Sequence, residues 1–501
     1  MSSYRTPLAM TGSLLIAATG LGVASPASAA TSPDPELVVA QDLRGLGESS
    51  ANGPVERIAQ ARAVVSNAAA NARMSRLLPV RAVSSAIGKR YALNVVDVQS
   101  GATIWSHQPK KALLPASNMK LVTAVDALTT LGPNKRFMTK IVSLGKGKIA
   151  IIGSGDATLS MYSVAKLAKA AAKAIKADPA LLPTSYTPTA HVPATCVVGG
   201  KKHQSTKKQP CPKITPAPRL NKVKVYVDDS YYPKPYYPSG WRSGYEPEVV
   251  RPVRALGMDG RYVMDSGRDT ASYLAAKMGA AGLGATYSGR TVVATLPRAG
   301  KNLALRTLAT HLGATVYDQV RYMLTVSENN IAEMLFRNVA KAQGYKVANW
   351  DNSRDAAIKT LTKLGIPTAS LSLRSGSGVS RNDRLTPIAL TTLLRKAADR
   401  QTHPELSALY FGGGMPLSGR TGTLSAGAGR YVTSPTKCAA GKIRAKTGTL
   451  FDTIGLSGLT TGNDGRLKAF SILVNNRPQS VTPLTTRRAV DTLAATVNGC
   501  Y

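Results

Sequence analysis

The 501-residue chain is short of aromatic side chains, at 5%, and short of acids, with 27 Asp and Glu against 64 Lys and Arg. So few aromatic faces leave little for nucleobases to stack on, and the positive balance does not read as nucleic-acid binding. Histidines number 5 and cysteines 4. No H-E-x-x-H occurs, which argues against a zincin, and no G-x-S-x-G elbow, which argues against an α/β-hydrolase. The glycines form no nucleotide-binding signature, and no internal repeat is visible. After the first 29 residues there is no run of ~20 apolar residues able to span a bilayer. A lipid-attachment cysteine is also absent.

What is present begins with an address. Arg5, an apolar stretch from Leu14 to Val23 and the small-residue site Ala27-Ser28-Ala29 read as a secretory signal peptide covering 1–29. The mature chain is expected to be exported, extracytoplasmic, and either wall-associated or secreted. In that compartment four cysteines read as two disulfides rather than a metal site. Cys196 and Cys211 bracket a short Lys-rich loop, and Cys438 with Cys500 would tie the approach to Lys446 to the C-terminal segment; three pairings are formally open. The formal net charge of +37 implies attraction to an anionic cell-wall polymer or a membrane surface, with no nucleic acid as partner.

Length and pattern give several units. Residues 30–75 read as a flexible leader and the start of an Ala-rich helix that spans Val55 to Leu78. Tyr91–Asp97 and Ala102–Trp105 form a hairpin. After Phe137 the character changes. Ile149–Ile152 reads as a strand, Ser163–Ala177 as an Ala/Lys helix and Val223–Val227 as a strand, around a Pro/Thr/Lys-rich stretch at 178–220. Residues 269–310 read as helix, glycine turn and strand. From His311 the pattern is helical again, through Ser327 to Ala342. Three consecutive strands follow at Ile443–Leu450, Ile454–Thr460 and Leu467–Asn475, then a helix Thr486–Val497. The division expected is 76–136 with 311–501 as one domain and 137–310 as an inserted region that contains the Cys196/Cys211 loop.

Three motifs carry chemistry. In Pro115-Ala116-Ser117-Asn118-Met119-Lys120 a serine opens a helix and a lysine stands one turn on, on the same face, able to take the hydroxyl proton. The tetrapeptide alone decides nothing, because Ser143–Lys146, Ser163–Lys166, Ser205–Lys208 and Ser434–Lys437 match it. Ser327-Glu328-Asn329 offers a second hydroxyl and an amide at the start of a helix, where an N-cap is the plain alternative; Ser380-Arg381-Asn382 and Ser50-Ala51-Asn52 rival it. Lys446-Thr447-Gly448 is the one K-T-G in the chain and lies on an expected strand. There an edge can pair with a peptide, glycine admits a second backbone, and Lys446, Thr447 and Thr449 offer charge and donors to a terminal carboxylate.

S-x-x-K, S-x-N and K-T-G in this order match the motif set of penicillin-binding proteins and class A β-lactamases. The chain resembles the penicillin-binding serine peptidases, and more closely the low-molecular-mass class C D-Ala-D-Ala carboxypeptidase/endopeptidases. The closer likeness rests on Pro115–Lys120, Gly153–Leu159 (GSGDATL), Val227–Ser230 (VDDS), Ser327–Glu333 (SENNIAE), Gly376–Pro387 (GSGVSRNDRLTP) and Lys446–Leu450 (KTGTL). It covers roughly 76–500. Ser375 departs from it, standing where an aspartate is usual.

The resemblance implies an α+β, multi-domain chain: a penicillin-binding, β-lactamase-like domain of an antiparallel sheet flanked by helices, with an insertion between the first and second motifs. It implies a serine DD-peptidase that acts on peptidoglycan stem peptides and is acylated by β-lactam antibiotics, with no cofactor and no metal. Ser117 would be the nucleophile, Lys120 its base and Ser327 the proton relay. Asn329 would hold Lys120 and the substrate amide, while Lys446, Thr447, Gly448 and Thr449 would bind substrate. Burial and the like charge of Lys446 would lower the Lys120 pKa. The backbone N–H groups of Ser117 and Thr449 would form the oxyanion hole. A β-lactamase is the rival enzyme, disfavoured by the large insertion and by the lack of an identifiable deacylating glutamate. A non-catalytic cationic wall-binding protein is the other rival, disfavoured by the intact motif set.

Overall fold

Two five-stranded sheets organise the chain. The computed structural model describes residues 69–183, 222–295 and 305–501. The expected signal segment, most of the leader, Ser205–Lys208 and the Cys196/Cys211 loop lie outside the described residues. In chain order the strands are β1 Tyr91–Asp97, β2 Thr103–His107, β3 Met138–Gly145, β4 Lys148–Ile152, β5 Val223–Asp228, β6 Ala285–Arg290 and β7 Thr307–Leu312, followed by β8 Ile443–Leu450, β9 Thr453–Thr461 and β10 Leu467–Asn475. The helices are α1 at 69–82, α2 Met119–Leu131, α3 Met161–Lys176, α4 Ser266–Ala280, α5 Val316–Val326, α6 Asn329–Ala342, α7 Trp350–Lys363, α8 Pro387–Ala398 and α9 Pro483–Asn498.

The first sheet runs β2-β1-β10-β9-β8, antiparallel throughout. Every residue of β1 is buried, because both faces of the sheet are covered. Alternation along the strands sorts the side chains. Leu93, Val95, Phe470 and Ile472 pack with Met74, Leu78, Val490 and Leu493 of α1 and α9. Ala92, Val96, Ala469 and Leu473 face the other way, into the core built around α2 and α6. Helix α2 has no solvent-facing side over its first ten residues, which are all buried, as in a central helix. Strand β8 is left at the edge of this sheet. Beyond it, Cys438 is paired with Cys500, their Cα atoms 5.8 Å apart.

The second sheet, β6-β5-β4-β3-β7, uses only strands between Met138 and Leu312. Its β4, β5 and β6 are parallel, with β3 and β7 antiparallel additions, and α3 and α4 cover one face through Val164, Leu167, Leu274 and Met278.

Some element boundaries differ from the sequence reading. Strand β3 was not expected, since Lys140, Ser143 and the Gly145–Lys148 turn mask the buried alternation of Thr139 and Ile141. The helix expected from His311 starts at Val316 behind a Thr315 cap; His311 and Leu312 still belong to β7. The Ala-rich helix continues past Leu78 to residue 82.

Arg337 of α6 fastens the segment before α4 to the helical core. Its fully buried guanidinium donates to the carbonyls of Ala348 at 2.6 Å, Pro233 at 2.9 Å and Val253 at 3.2 Å, sandwiched between the rings of Tyr232 and Trp350. Burial pulls its pKa down to about 10. Replacing it with methionine keeps the volume and orphans three carbonyls, so Arg337→Met is expected to destabilise the fold by about 3 kcal/mol. Chemical denaturation checks this, and an unchanged midpoint would refute it.

Candidate active site

The residues expected to do chemistry meet at the N-terminus of α2. The chain reaches it through Leu114, whose backbone N–H and carbonyl are both held by the Asn475 amide, at 2.8 and 3.0 Å, from the end of β10. A single 3₁₀ turn, Ala116–Asn118, then presents Ser117. Ala116 is forced to φ 46°, in the left-handed region. Two glycines allow the turn to fit. A Cβ on Gly378 would lie 1.9 Å from the Ala116 carbonyl oxygen, and one on Gly448 would lie 2.8 Å from that of Pro115. The turn is thus wedged between the 376–378 loop and strand β8.

Lys120 stands one helical turn later, fully buried. Its Nζ lies 3.0 Å from Ser117 Oγ, 2.7 Å from Asn329 Oδ1 and 2.9 Å from the Ser377 carbonyl. A neutral amine has two N–H donors and one lone pair. The two oxygens that can only accept, Asn329 Oδ1 and Ser377 O, take the donors, which leaves the lone pair aimed at the serine hydroxyl. Burial lowers the Lys120 pKa to about 8, against the opposing pull of Glu333, Glu328 and Asp383. Repulsion between the two buried lysines is mutual, and it registers at Lys446.

Lys446 sits at the centre of β8, also fully buried, and donates to Ser327 Oγ and to the Thr447 carbonyl, each at 2.9 Å. Burial first, then the charge of Lys120, drives its pKa well below the usual lysine value. Ser327 is not an N-cap. It ends α5 in the left-handed region at φ 66°, and Glu328 caps α6 instead, its Oε2 accepting from the Ile331 N–H at 2.5 Å. The reversal turns Ser327 Oγ toward Lys446. Left-handed non-glycine residues at Ala116 and Ser327 each store about 1–3 kcal/mol, held by the surrounding contacts. Asn329 also donates from Nδ2 to the Val249 carbonyl at 2.8 Å.

Ser117, Ser327, Thr447 and Thr449 share a cavity of about 310 Å³ with Thr423, Ala428, Arg430 and Arg487. All eight residues singled out in the sequence are thus gathered at one place, with Gly448 as backbone spacer. None of the described competing serines lies in this cavity. Ser143 Oγ accepts from Gly145 N–H, and Ser163 Oγ pairs with Ser160.

Several contributors went unassigned in the sequence. Glu333, fully buried one turn beyond Asn329, accepts from the N–H groups of Gly376 at 2.8 Å and Ser377 at 3.0 Å, and so aims the Ser377 carbonyl at Lys120. Burial raises its pKa. Ser375, the departure from the usual aspartate, donates to Asp383 Oδ2 at 2.5 Å and accepts from the Gly378 N–H at 3.1 Å, which closes the same loop. The four-residue spacing of Asn329 and Glu333 on one helix face was the available signal for the glutamate.

The model of the D-Ala-D-Ala carboxypeptidase 3 (S13) family matches residues 78–177 and 260–497, together more than half of the chain. Carboxypeptidase DacB of Mycolicibacterium smegmatis is 29% identical over 415 residues, which cover 81% of this chain and 80% of that one. The D-alanyl-D-alanine carboxypeptidase of an Actinomadura species is 27% identical over 477 residues, 85% of this chain and 86% of that one. Penicillin-binding protein 4 of Haemophilus influenzae shares the fold, with a TM-score of 0.64 at 17% identity over 84% of this chain and 99% of that one. The chain belongs to the D-Ala-D-Ala carboxypeptidase 3 (S13) family and is a serine-type D-Ala-D-Ala carboxypeptidase.

Proposed function

We propose that Ser117 is the nucleophile of this carboxypeptidase and that Lys120 is its base. The observation that carries the proposal is the Lys120 amine, sealed from water, with two fixed acceptors and one free direction, toward Ser117 Oγ. Ser117 attacks the carbonyl between two terminal D-alanines, and its proton passes to Lys120. The backbone N–H groups of Ser117 and Thr449 flank the cavity where the oxyanion develops; one such donor is worth about 3–4 kcal/mol in related chemistry. Ser327, hydrogen-bonded to Lys446, hands a proton to the leaving amine. Thr447, Gly448 and Thr449 sit on the edge strand β8, free to pair with the extended peptide. Asn329 fixes Lys120, and the second hydrogen of its amide serves the substrate. Water then releases the acyl group.

The same acyl transfer opens a cross-link when the leaving amine belongs to a second stem peptide, so endopeptidase activity on peptidoglycan is part of the proposal. β-Lactams acylate Ser117 by the same route. We further propose that residues 137–310 form an inserted domain in the catalytic domain of 76–136 and 311–501. The chain is proposed to act outside the cytoplasm, as its signal-like N-terminus and the Cys438–Cys500 pair suggest. Helix α3 supports a wall-polymer partner: Lys166, Lys169, Lys173 and Lys176 recur at three- and four-residue steps on one face, and the helix has no acid. A groove of about 730 Å³ beside it is lined by Lys169, Lys173, Lys176 and Lys277 over a floor of alanines.

Three outcomes are expected. Ser117→Ala abolishes covalent labelling by a fluorescent penicillin, and retained labelling refutes the assignment. Lys120 must be neutral to act, so the acylation rate rises about tenfold per pH unit up to about 8 and then levels; a flat stopped-flow profile below that point removes Lys120 as the base. Replacing Lys169, Lys173 and Lys277 together by glutamine weakens sedimentation with phosphodiester-bearing cell walls, and wild-type binding falls away at about 1 M salt, where screening reaches ~3 Å. Salt-independent binding would refute the polyanion partner. Defined monomeric and cross-linked muropeptides, with products resolved by mass, measure the carboxypeptidase and endopeptidase shares.

A further inference from the structure

We propose that Arg487 supplies the positive charge that receives the substrate's terminal carboxylate, a role the sequence reading gave to Lys446. The inference rests on the assignment of Ser117 as nucleophile and concerns another residue lining the same cavity.

Lys446 is badly placed for the task. Its side chain is fully buried, does not line the cavity, and commits two of its donors to Ser327 Oγ and the Thr447 carbonyl, both at 2.9 Å. It is also the lysine that burial and Lys120 push toward neutrality. Two other cations line the cavity, Arg430 and Arg487. Arg430 is already matched: its guanidinium forks onto Asp491, with both N–O distances 2.5 Å and both side chains buried. The Arg430 charge is therefore cancelled where it stands.

Arg487, in the second turn of α9, differs in each respect. Its side chain is half-buried, and among the described residues it makes neither a hydrogen bond nor an ion pair. Its surroundings are hostile to a cation: burial, then the charges of Arg430 and Arg477, lower its pKa, and only the already engaged Asp491 opposes them. A guanidinium held half out of water beside other cations, with no counter-ion, is an unfilled anion site. The cavity completes it with hydroxyls. Thr449 is exposed, and the Thr447 and Thr423 hydroxyls are hydrogen-bonded to each other at 2.7 Å. A carboxylate entering beside Thr447 and Thr449 meets hydroxyl donors from β8 and a planar fork from α9, geometry that suits bidentate capture.

The test is a pair of substrates that share an acyl-D-Ala donor. One is the acyl-D-Ala-D-Ala peptide with its free carboxylate; the other is an acyl-D-Ala thioester whose leaving thiol is uncharged. For Arg487→Gln, kcat/KM on the peptide is expected to fall about 10- to 100-fold, mostly through KM, the range of a lost charge-assisted hydrogen bond. Turnover of the neutral thioester should change far less. Arg487→Lys should recover part of the loss by restoring charge without the fork. Equal losses on both substrates would mean a structural role and overturn the proposal, as would an unchanged KM for the peptide. In either of those cases persistent thioester turnover, abolished by Ser117→Ala, keeps the nucleophile assignment standing.

Discussion

The site depends on keeping one lysine amine out of water. In water Lys120 would hold its proton near the ordinary lysine pKa and be of no use to Ser117 at neutral pH. Each group around it contributes to the exclusion or to the aim. Helix α2, buried throughout its first ten residues, takes the lysine into the core. Asn329 and the Ser377 carbonyl fix two of its three directions, and the third is left for the serine. These supports are themselves supported. Glu333 clamps the 376–377 backbone, Ser375 and Asp383 close the loop behind it, and Asn475 locks the strand-like approach to Ser117. The antiparallel sheet and its helices serve to bring stretches of chain hundreds of residues apart within 3 Å of one nitrogen.

Much of this was legible in the sequence because it is local. S-x-x-K places a lysine one turn above a serine by helical geometry alone, and K-T-G on an alternating strand places a lysine on one face. The three consecutive strands at the C-terminus, with a glycine-rich turn between two of them, read correctly for the same reason. What failed depended on tertiary context. Strand β3 looked like loop, because nothing local says that Lys140 faces outward and Ser143 inward in a sheet whose other strands arrive later. Ser327 looked like a cap. Only the packing of α5 against α6 forces it left-handed and gives the capping role to Glu328. Arg430 and Arg487 are two among 64 basic residues, and no pattern in the chain distinguishes the one that is paired from the one that is not.

The same contrast governs the use of positive charge. Lysines on α3 stay at the surface, where solvent carries their cost and their effect is long-range and salt-sensitive. Lysines at the active site are buried, where the cost is large and is met by turning charge into basicity. Arginine does not shed its proton in this way, so a guanidinium taken out of water needs acceptors, carbonyls for Arg337 and a carboxylate elsewhere. Asp491 is that anion for Arg430. The difference between the two residue types decides which cavity group can abstract a proton and which can bind a carboxylate.

Two buried lysines in one site also set the order of proton movement. Lys446 is pressed toward neutrality by burial and then by charge on Lys120, so the two are not comfortably charged together. In the proposed mechanism Lys120 takes the Ser117 proton and becomes the charged member of the pair, and the proton on Lys446, or on the hydroxyl bonded to it, becomes easier to lose. Ser327 is the group in contact with Lys446. The electrostatic consequence of the first transfer is therefore delivered to the residue proposed to make the second. Glu333, buried beneath the Ser377 backbone, partly steadies the charge on Lys120 while this happens. A catalytic cycle of this kind needs no outside acid, because the base that opens it also primes the donor that protonates the leaving amine.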